Sequence, residues 1–210
     1  MIDFYTWTTP NGRKVSIMLE ECALEYRVHP VNIGANEQFT PRFLHISPNN
    51  KIPAIVDHDT GGEPLSVFES GAILLYLAEK TGRFLPARNP GRAKAFEWLM
   101  WQMSSVGPML GQANHFANQA PEPIAYAIDR FLGEGARLVR VLDRQLAASE
   151  YMAGDYSVAD MATYPWISVA FGLVRSLKPD VVGEGANVER WLGAVGARAA
   201  VVRGMAIPKL

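Results

Sequence analysis

Residues 47–82 read SPNNKIPAIVDHDTGGEPLSVFESGAILLYLAEKTG, and this stretch decides the fold. Two short β-prone runs, Pro53 to His58 and Leu65 to Phe68, flank a loop that holds Gly61-Gly62, a spacing that predicts an antiparallel hairpin. Ser70 to Thr81 then follows a helical pattern that stops at Gly82, the residue type suited to a left-handed cap. Upstream, Ile2 to Trp7 and Tyr26 to Ile33 are further β-rich runs, and between them Val15, Met18, Leu19 and Cys22 fall at i, i+3, i+4 and i+7. That is a βαβ unit, whose parallel strands need a right-handed crossover. A short helical piece at Pro41 to Ile46 leads from it into the hairpin. The first part of the chain is therefore an α+β domain, βαβ followed by ββα.

Downstream of Gly82 the composition changes. Gly82 to Arg92 holds two prolines and two glycines without a period, which marks a linker. The division expected is a domain over 1–82, a linker over 83–92 and an all-helical domain over 93–210. Its helices are predicted at about Ala93 to Asn118 with Pro108 inside, Ile124 to Ala148, Val158 to Gly172 and Val188 to Ala197. One of these starts is marked by Ser157-Val-Ala-Asp160, where Ser at the N-cap and an acid three residues on satisfy two orphan amides reciprocally. Tyr156 and Met161 fit the accompanying hydrophobic staple.

Composition narrows the function classes. Of 210 residues 49% are hydrophobic and the formal net charge is −1, which excludes a disordered polymer and the basic footprint of a nucleic-acid binder. The longest apolar stretches, Gly71 to Ala78 and Met161 to Val174, fall short of the ~20 residues a membrane span requires. The N-terminus has an acid at position 3 and no apolar core of signal-peptide type, and a lone cysteine, Cys22, suits a reducing compartment. A cytoplasmic protein is expected.

A β-α-β-(helix)-β-β-α domain joined to a helical one resembles the cytosolic glutathione transferases over nearly the whole chain. Ser47-Pro-Asn-Asn-Lys-Ile-Pro-Ala-Ile-Val56 followed by Phe68-Glu-Ser-Gly-Ala-Ile-Leu-Leu-Tyr-Leu77 is similar to the family's glutathione site. Thr9-Pro-Asn-Gly12, the Gly-Pro-Met-Leu-Gly-Gln run at 107–112 and Tyr126-Ala-Ile-Asp-Arg130 resemble the bacterial nu class, whose members reduce disulfides with glutathione. The resemblance implies a thioredoxin-like first domain, a homodimer, and glutathione as co-substrate. In one respect the chain departs from the family, which usually has a proline after the arginine in Gly196-Ala-Arg-Ala-Ala200.

The site residues follow from the resemblance, each with a physical reason. Pro53 is expected in the cis form, which turns the backbone of Ile52 toward an extended peptide, so that Ile52 holds the cysteinyl backbone of glutathione. Lys51 supplies a point charge for the glycyl carboxylate, and Gln38 a neutral hydrogen bond. Glu69 and Ser70 open a helix whose free amides and dipole favour an anion, so Ser70 suits the γ-glutamyl carboxylate and Glu69 its ammonium. Where other classes carry a catalytic Tyr, Ser or Cys, this chain has Thr8-Thr9-Pro10-Asn11 and no Cys-x-x-Cys. The Thr9 hydroxyl and Asn11 amide are thus the candidate donors to the glutathione sulfur, helped by a helix N-terminus that favours thiolate. Arg130, by resemblance, helps to bind glutathione from its own or the partner subunit.

Other tempting residues read as structure. Tyr5 lies inside a strand, a core position. Cys22 stands on the apolar stripe roughly 16 Å from Asn11 along the helix, which makes it a buried thiol and not a nucleophile. His29, His45, His58 and His115 lack metal-ligand spacing, so no metal is expected. Asn114, His115, Phe116 and Trp166 are candidates for an electrophile pocket. The expected function is glutathione-dependent disulfide reduction through the bound thiol or thiols. Conjugation or peroxide reduction on small electrophiles is the alternative enzyme reading, and a non-catalytic glutathione-fold binding module is a third.

Overall fold

A computed structural model describes residues 1–209. Contacts divide the chain into two compact units, Met1–Leu85 together with the segment from Ala197 onward, and Pro86–Gly196.

In the first unit the elements run β1 (Ile2–Thr6), α1 (Pro10–Glu21), β2 (Tyr26–Pro30), α2 (Pro41–Ile46), β3 (Ala54–Asp57), β4 (Leu65–Phe68) and α3 (Ser70–Thr81). The sheet order is β2-β1-β3-β4, with β1 parallel to β2 and the other two pairs antiparallel. The βαβ and ββα halves read in the sequence are therefore joined side by side through β1 and β3. Alternation along each strand serves two cores. Tyr5 and Ala54 pack with Val31, Phe43 and Ile46 on one face. Their neighbours Phe4 and Ile55, fully buried, point the other way, to the face covered by α1 and α3. Val15, Met18 and Leu19 of α1 and Ile73, Leu74 and Leu77 of α3 are all inaccessible to solvent.

β2 ends at Pro30, short of the expected Ile33, for a local reason. Asn32 accepts from the amides of Gly34 and Ala35 at 3.0 and 3.2 Å, and this side-chain cap starts a 3-10 turn where the strand would have continued. At the other end of the unit, α3 stops at Gly82 with φ 66°, the left-handed cap that the sequence predicted.

The segment from Ala197 belongs with this unit and not with the helices before it. Helix α10 (Ala199–Met205) lies against α1 at a glycine, since a Cβ on Gly204 would sit 2.7 Å from the Ile17 backbone. The Gly204 carbonyl accepts from Ser16 Oγ at 2.7 Å, and Arg198 forks onto Glu21 at 2.6 and 3.1 Å.

The second unit holds α4 (Gly91–Trp101), α5 (Gly107–Asn118), α6 (Ala125–Ala148), α7 (Val158–Leu177), α8 (Pro179–Val182) and α9 (Ala186–Gly196). The single helix expected over 93–118 is broken into α4 and α5 by a π-helical turn at Gln102–Val106. This places Pro108 in the first turn of α5, where a missing amide hydrogen costs nothing. Helix α7 runs past Gly172 to Leu177, because Gly172 faces open space and nothing there forces a stop. The capping box is formed as read: Asp160 accepts from the Ser157 amide at 3.0 Å and Ser157 Oγ accepts from the Ala159 amide at 3.3 Å. Asp160 also accepts from the Met152 amide at 3.0 Å and from Nε1 of the buried Trp191 at 2.9 Å. No helix among the described residues is long and apolar enough to cross a membrane.

Candidate functional site

Strand register gathers the predicted residues of the first unit. Tyr5 pairs with Ala54, and Ala54 with Phe68. The end of β1, the start of β3 and the end of β4 therefore share one edge of the sheet. The end of β2 joins them, because Thr6 pairs with Pro30 and its carbonyl accepts from the Val31 amide at 2.9 Å. From these four ends run the segments that carry Thr9 and Asn11, Gln38, Lys51 to Pro53, and Glu69 with Ser70. Two helix N-termini, those of α1 and α3, open at this edge, so free amides and two positive dipole ends converge there.

At the start of α1, Thr9 is the N-cap, with its Oγ1 accepting from the Gly12 amide at 3.2 Å. Capping uses an oxygen lone pair and leaves the hydroxyl hydrogen to donate elsewhere. Gly12 is required by proximity: a Cβ there would lie 2.3 Å from Thr6 Oγ1 and 2.7 Å from the Trp7 carbonyl. Asn11, half-buried, occupies the same first turn.

The Ile52–Pro53 bond is cis, as the sequence predicts. Pro53 is buried, Ile52 is half-buried against the Tyr5 cluster, and Lys51 is exposed with its carbonyl accepting from Ser47 Oγ at 2.9 Å. Gln38 sits in the 3-10 turn Glu37–Phe39, with its buried Oε1 lacking a hydrogen-bond partner. At the start of α3 the exposed Glu69 has φ 70°, in the left-handed region that a side chain of its kind enters at a cost of roughly 1–3 kcal/mol. Its carboxylate accepts from Asn49 Nδ2 at 3.2 Å. Ser70 next to it is buried.

Sequence reading missed Lys14. This lysine of α1 is 1% exposed, and its Nζ donates to Ser70 Oγ at 3.4 Å. Burial pushes its pKa down to about 7, against a smaller upward pull from the Glu69 carboxylate. The available signal was positional. Lys14 precedes Met18 by one helical turn and so shares the buried face of α1, where a lysine has no packing reason to be.

The two decoys behave as structure. Tyr5 is buried and stacks on His29 with ring centroids 4.7 Å apart. Cys22 closes the far end of α1, its Sγ 3.9 Å from Met18 Sδ and 3.5 Å from Thr81 Oγ1, and burial raises its thiol pKa. Among the described residues no group of three or more His, Cys, Asp or Glu side chains is placed to hold a metal ion.

In the second unit Arg130 is exposed on α6 and lines a cleft of about 490 Å³ with Met109, Phe131 and Glu134. Phe131 stacks on Phe116 at 5.4 Å, and His115 meets Phe116 edge-on at 5.1 Å. Asn114 accepts from Asn118 Nδ2 at 2.9 Å, and the Trp166 ring lies over Gly111, where a Cβ would be 3.4 Å away.

Residues 2–79 match the family described as glutathione S-transferase, N-terminal domain. The chain is 55% identical over 171 residues to the disulfide-bond oxidoreductase YfcG of Escherichia coli, covering 80% of each. It is similar to a glutathione transferase of Pseudomonas putida solved with one glutathione disulfide bound per subunit, at 44% identity and TM-score 0.90, over 99% of this chain and 91% of that one. A relative from Pseudomonas fluorescens, solved with two glutathione molecules bound, is 44% identical with TM-score 0.92, over 99% and 93% of the two chains.

Proposed function

Because the chain belongs to the glutathione S-transferase family, we propose that it reduces disulfides with glutathione and that the reacting sulfur belongs to glutathione, not to the protein. The observation that carries this reading is the placing of thiol and donors. The helix start that faces the sheet edge presents Thr9 and Asn11, whereas the only cysteine, Cys22, lies buried at the opposite end of the same helix. The similarity to a named disulfide-bond oxidoreductase, and to transferases solved with one glutathione disulfide or two glutathiones, supports the same chemistry.

In this reading Ile52 pairs with the cysteinyl backbone, and Lys51 and Gln38 meet the glycyl carboxylate. Ser70 and the α3 amides hold the γ-glutamyl carboxylate, and Glu69 its ammonium. Thr9 and Asn11 donate to the sulfur, which with the α1 N-terminus stabilises thiolate over thiol. The thiolate attacks one sulfur of a substrate disulfide, forming a mixed disulfide and expelling the other sulfur as a thiolate that takes up a proton. A second glutathione thiolate then attacks the glutathione sulfur of that mixed disulfide, which yields glutathione disulfide and releases the second substrate thiol. Two glutathiones are oxidised for each disulfide reduced. Arg130 offers a guanidinium fork to a carboxylate of the glutathione pair. The reading includes a cytoplasmic homodimer.

The test is a pair of rates with glutathione, one on a small dialkyl disulfide and one on an aromatic halide. Turnover of the disulfide well above that of the halide is expected. A halide rate above the disulfide rate would convert the assignment to conjugation, and no turnover of either would favour a binding module.

A further inference from the structure

On the Tyr5 face of the sheet, between the end of β2 and the start of α2, lies a cavity of about 310 Å³. That is the low end of the roughly 300–1,000 Å³ usual for small-molecule sites. None of its lining residues belongs to the glutathione assignment above. Tyr5, His29, Val31 and Phe43 give it an aromatic and apolar floor, and Glu37 and Arg42 bring one charge of each sign. The floor is held by contacts of its own. Tyr5 stacks on His29 and meets Phe43 with ring centroids 6.2 Å apart, and His29 Nε2 lies 2.9 Å from Asp3 Oδ1.

Three polar groups at this cavity keep capacity to bond. Tyr5 is 8% exposed, yet its hydroxyl has no hydrogen-bond partner among the described residues. A phenol taken so far out of water ordinarily finds one, and a phenylalanine would fill the same core position. Glu37 accepts from the Asn32 amide at 2.7 Å through Oε2, which fixes the carboxylate and leaves Oε1 to accept. Thr40 braces the same turn, its Oγ1 donating to the Glu37 carbonyl at 2.8 Å. The Arg42 guanidinium pairs neither with Glu37 nor with any other carboxylate among the described residues.

Opposite charges that share one small cavity without pairing narrow the choice of ligand. A simple anion would answer Arg42 but face Glu37, and a simple cation would do the reverse. A molecule with an ammonium and a carboxylate on one carbon answers both, and an apolar side chain on that carbon covers the rings. We propose that this cavity binds a free apolar α-amino acid, with its carboxylate on Arg42 and the Tyr5 hydroxyl, its ammonium on Glu37 and its side chain against His29, Val31 and Phe43.

Amide NMR of the protein saturated with S-methylglutathione, which keeps small acids out of the glutathione site, tests this with L-phenylalanine as the probe. Saturable shifts should concentrate at Tyr5 and from His29 to Phe43. Hydrocinnamate, which lacks the ammonium, and phenethylamine, which lacks the carboxylate, should each bind about tenfold more weakly, the scale of one hydrogen bond to a charged group. Glycine, without a side chain, should leave the shifts unmoved. Arg42→Met should weaken L-phenylalanine about tenfold, by the same loss, and leave phenethylamine unchanged. Glu37→Gln, which keeps an acceptor for the Asn32 amide, should weaken L-phenylalanine alike and leave hydrocinnamate unchanged. Both side chains are exposed, so neither change threatens the fold. Tyr5→Phe should cost several-fold in affinity with the ring contacts kept. Absence of saturable shifts, equal binding of the three aromatic compounds, hydrocinnamate binding more tightly than L-phenylalanine, or unchanged affinity in both charge variants would each overturn the inference, and each would leave the glutathione assignment intact.

Discussion

Each unit of the molecule buries a charged group next to a helix start, and the two are treated differently. Asp160 in α7 is inaccessible to solvent and receives four hydrogen bonds, from the amides of Met152 and Ser157, the Ser157 hydroxyl and Trp191 Nε1. Burial pushes its pKa up, and all four bonds oppose that push. Lys14 in α1 is buried as deeply, but it faces a serine at the mouth of a helix N-terminus. A buried charge saturated by donors from its own surroundings locks a fold together. At Lys14 burial outweighs the pull of the Glu69 carboxylate and drives the amine toward its neutral form.

The comparison breaks most visibly at Asp160. Asp160→Ala strands four donors in the core of the second unit and should cost roughly 3 kcal/mol or more of stability, read by denaturant unfolding. A loss below 1 kcal/mol would show that water replaces the carboxylate and that the network is not what holds this corner.

Lys14→Met should move stability in the opposite direction. The native amine titrates at about 7 against an ordinary 10.5, so between these values the unfolded chain holds one more proton than the native chain. Stability of the unmodified protein therefore rises with pH across that window. The methionine variant lacks this slope. It should be more stable by a few kcal/mol at pH 6, with the gain shrinking toward pH 10. Melting temperatures across the range report it, and a destabilised variant at pH 6 would mean that Lys14 is held by the native structure as firmly as Asp160.

Ser70→Ala removes the oxygen that Lys14 faces, so its effect should fall on ligand and fold together. Glutathione affinity should drop by about 1 to 3 kcal/mol, the scale for a hydrogen bond to a charged group, and the melting temperature should fall because a buried donor loses its acceptor. Calorimetry separates the two readouts.

The smallest effect is expected at Cys22, a buried group with no part in either network. Cys22→Ala should cost about 1 kcal/mol for the small void and retain most disulfide-reductase activity. More than a tenfold loss of rate in a folded, glutathione-binding variant would return the cysteine to the mechanism.

Most elements were legible in the sequence because their signals are local. The apolar period of Val15, Met18 and Leu19, the hairpin glycines, the Gly82 stop and the Ser157–Asp160 box each act within a turn or two, and each appears in place. The candidate site was legible for a related reason: helix starts and a proline between Ile52 and Ala54 leave marks in adjacent residues. Where reading stopped short, local signals misled or were lacking: nothing adjacent marks the π turn at Gln102–Val106, and α7 overruns Gly172, which faces open space.

By itself, then, the sequence determined the βαβ and ββα halves, the helix starts at Ser70 and after Ser157 and the chemical types at the candidate site, since propensity, capping and periodicity are properties of neighbouring residues. Only the tertiary structure decided that α10 returns to α1, where Gly204 meets Ile17, and that Lys14 is sealed against Ser70, fifty-six positions away in the chain. Close approach and desolvation depend on what the rest of the chain removes from water, and no window of adjacent residues records that.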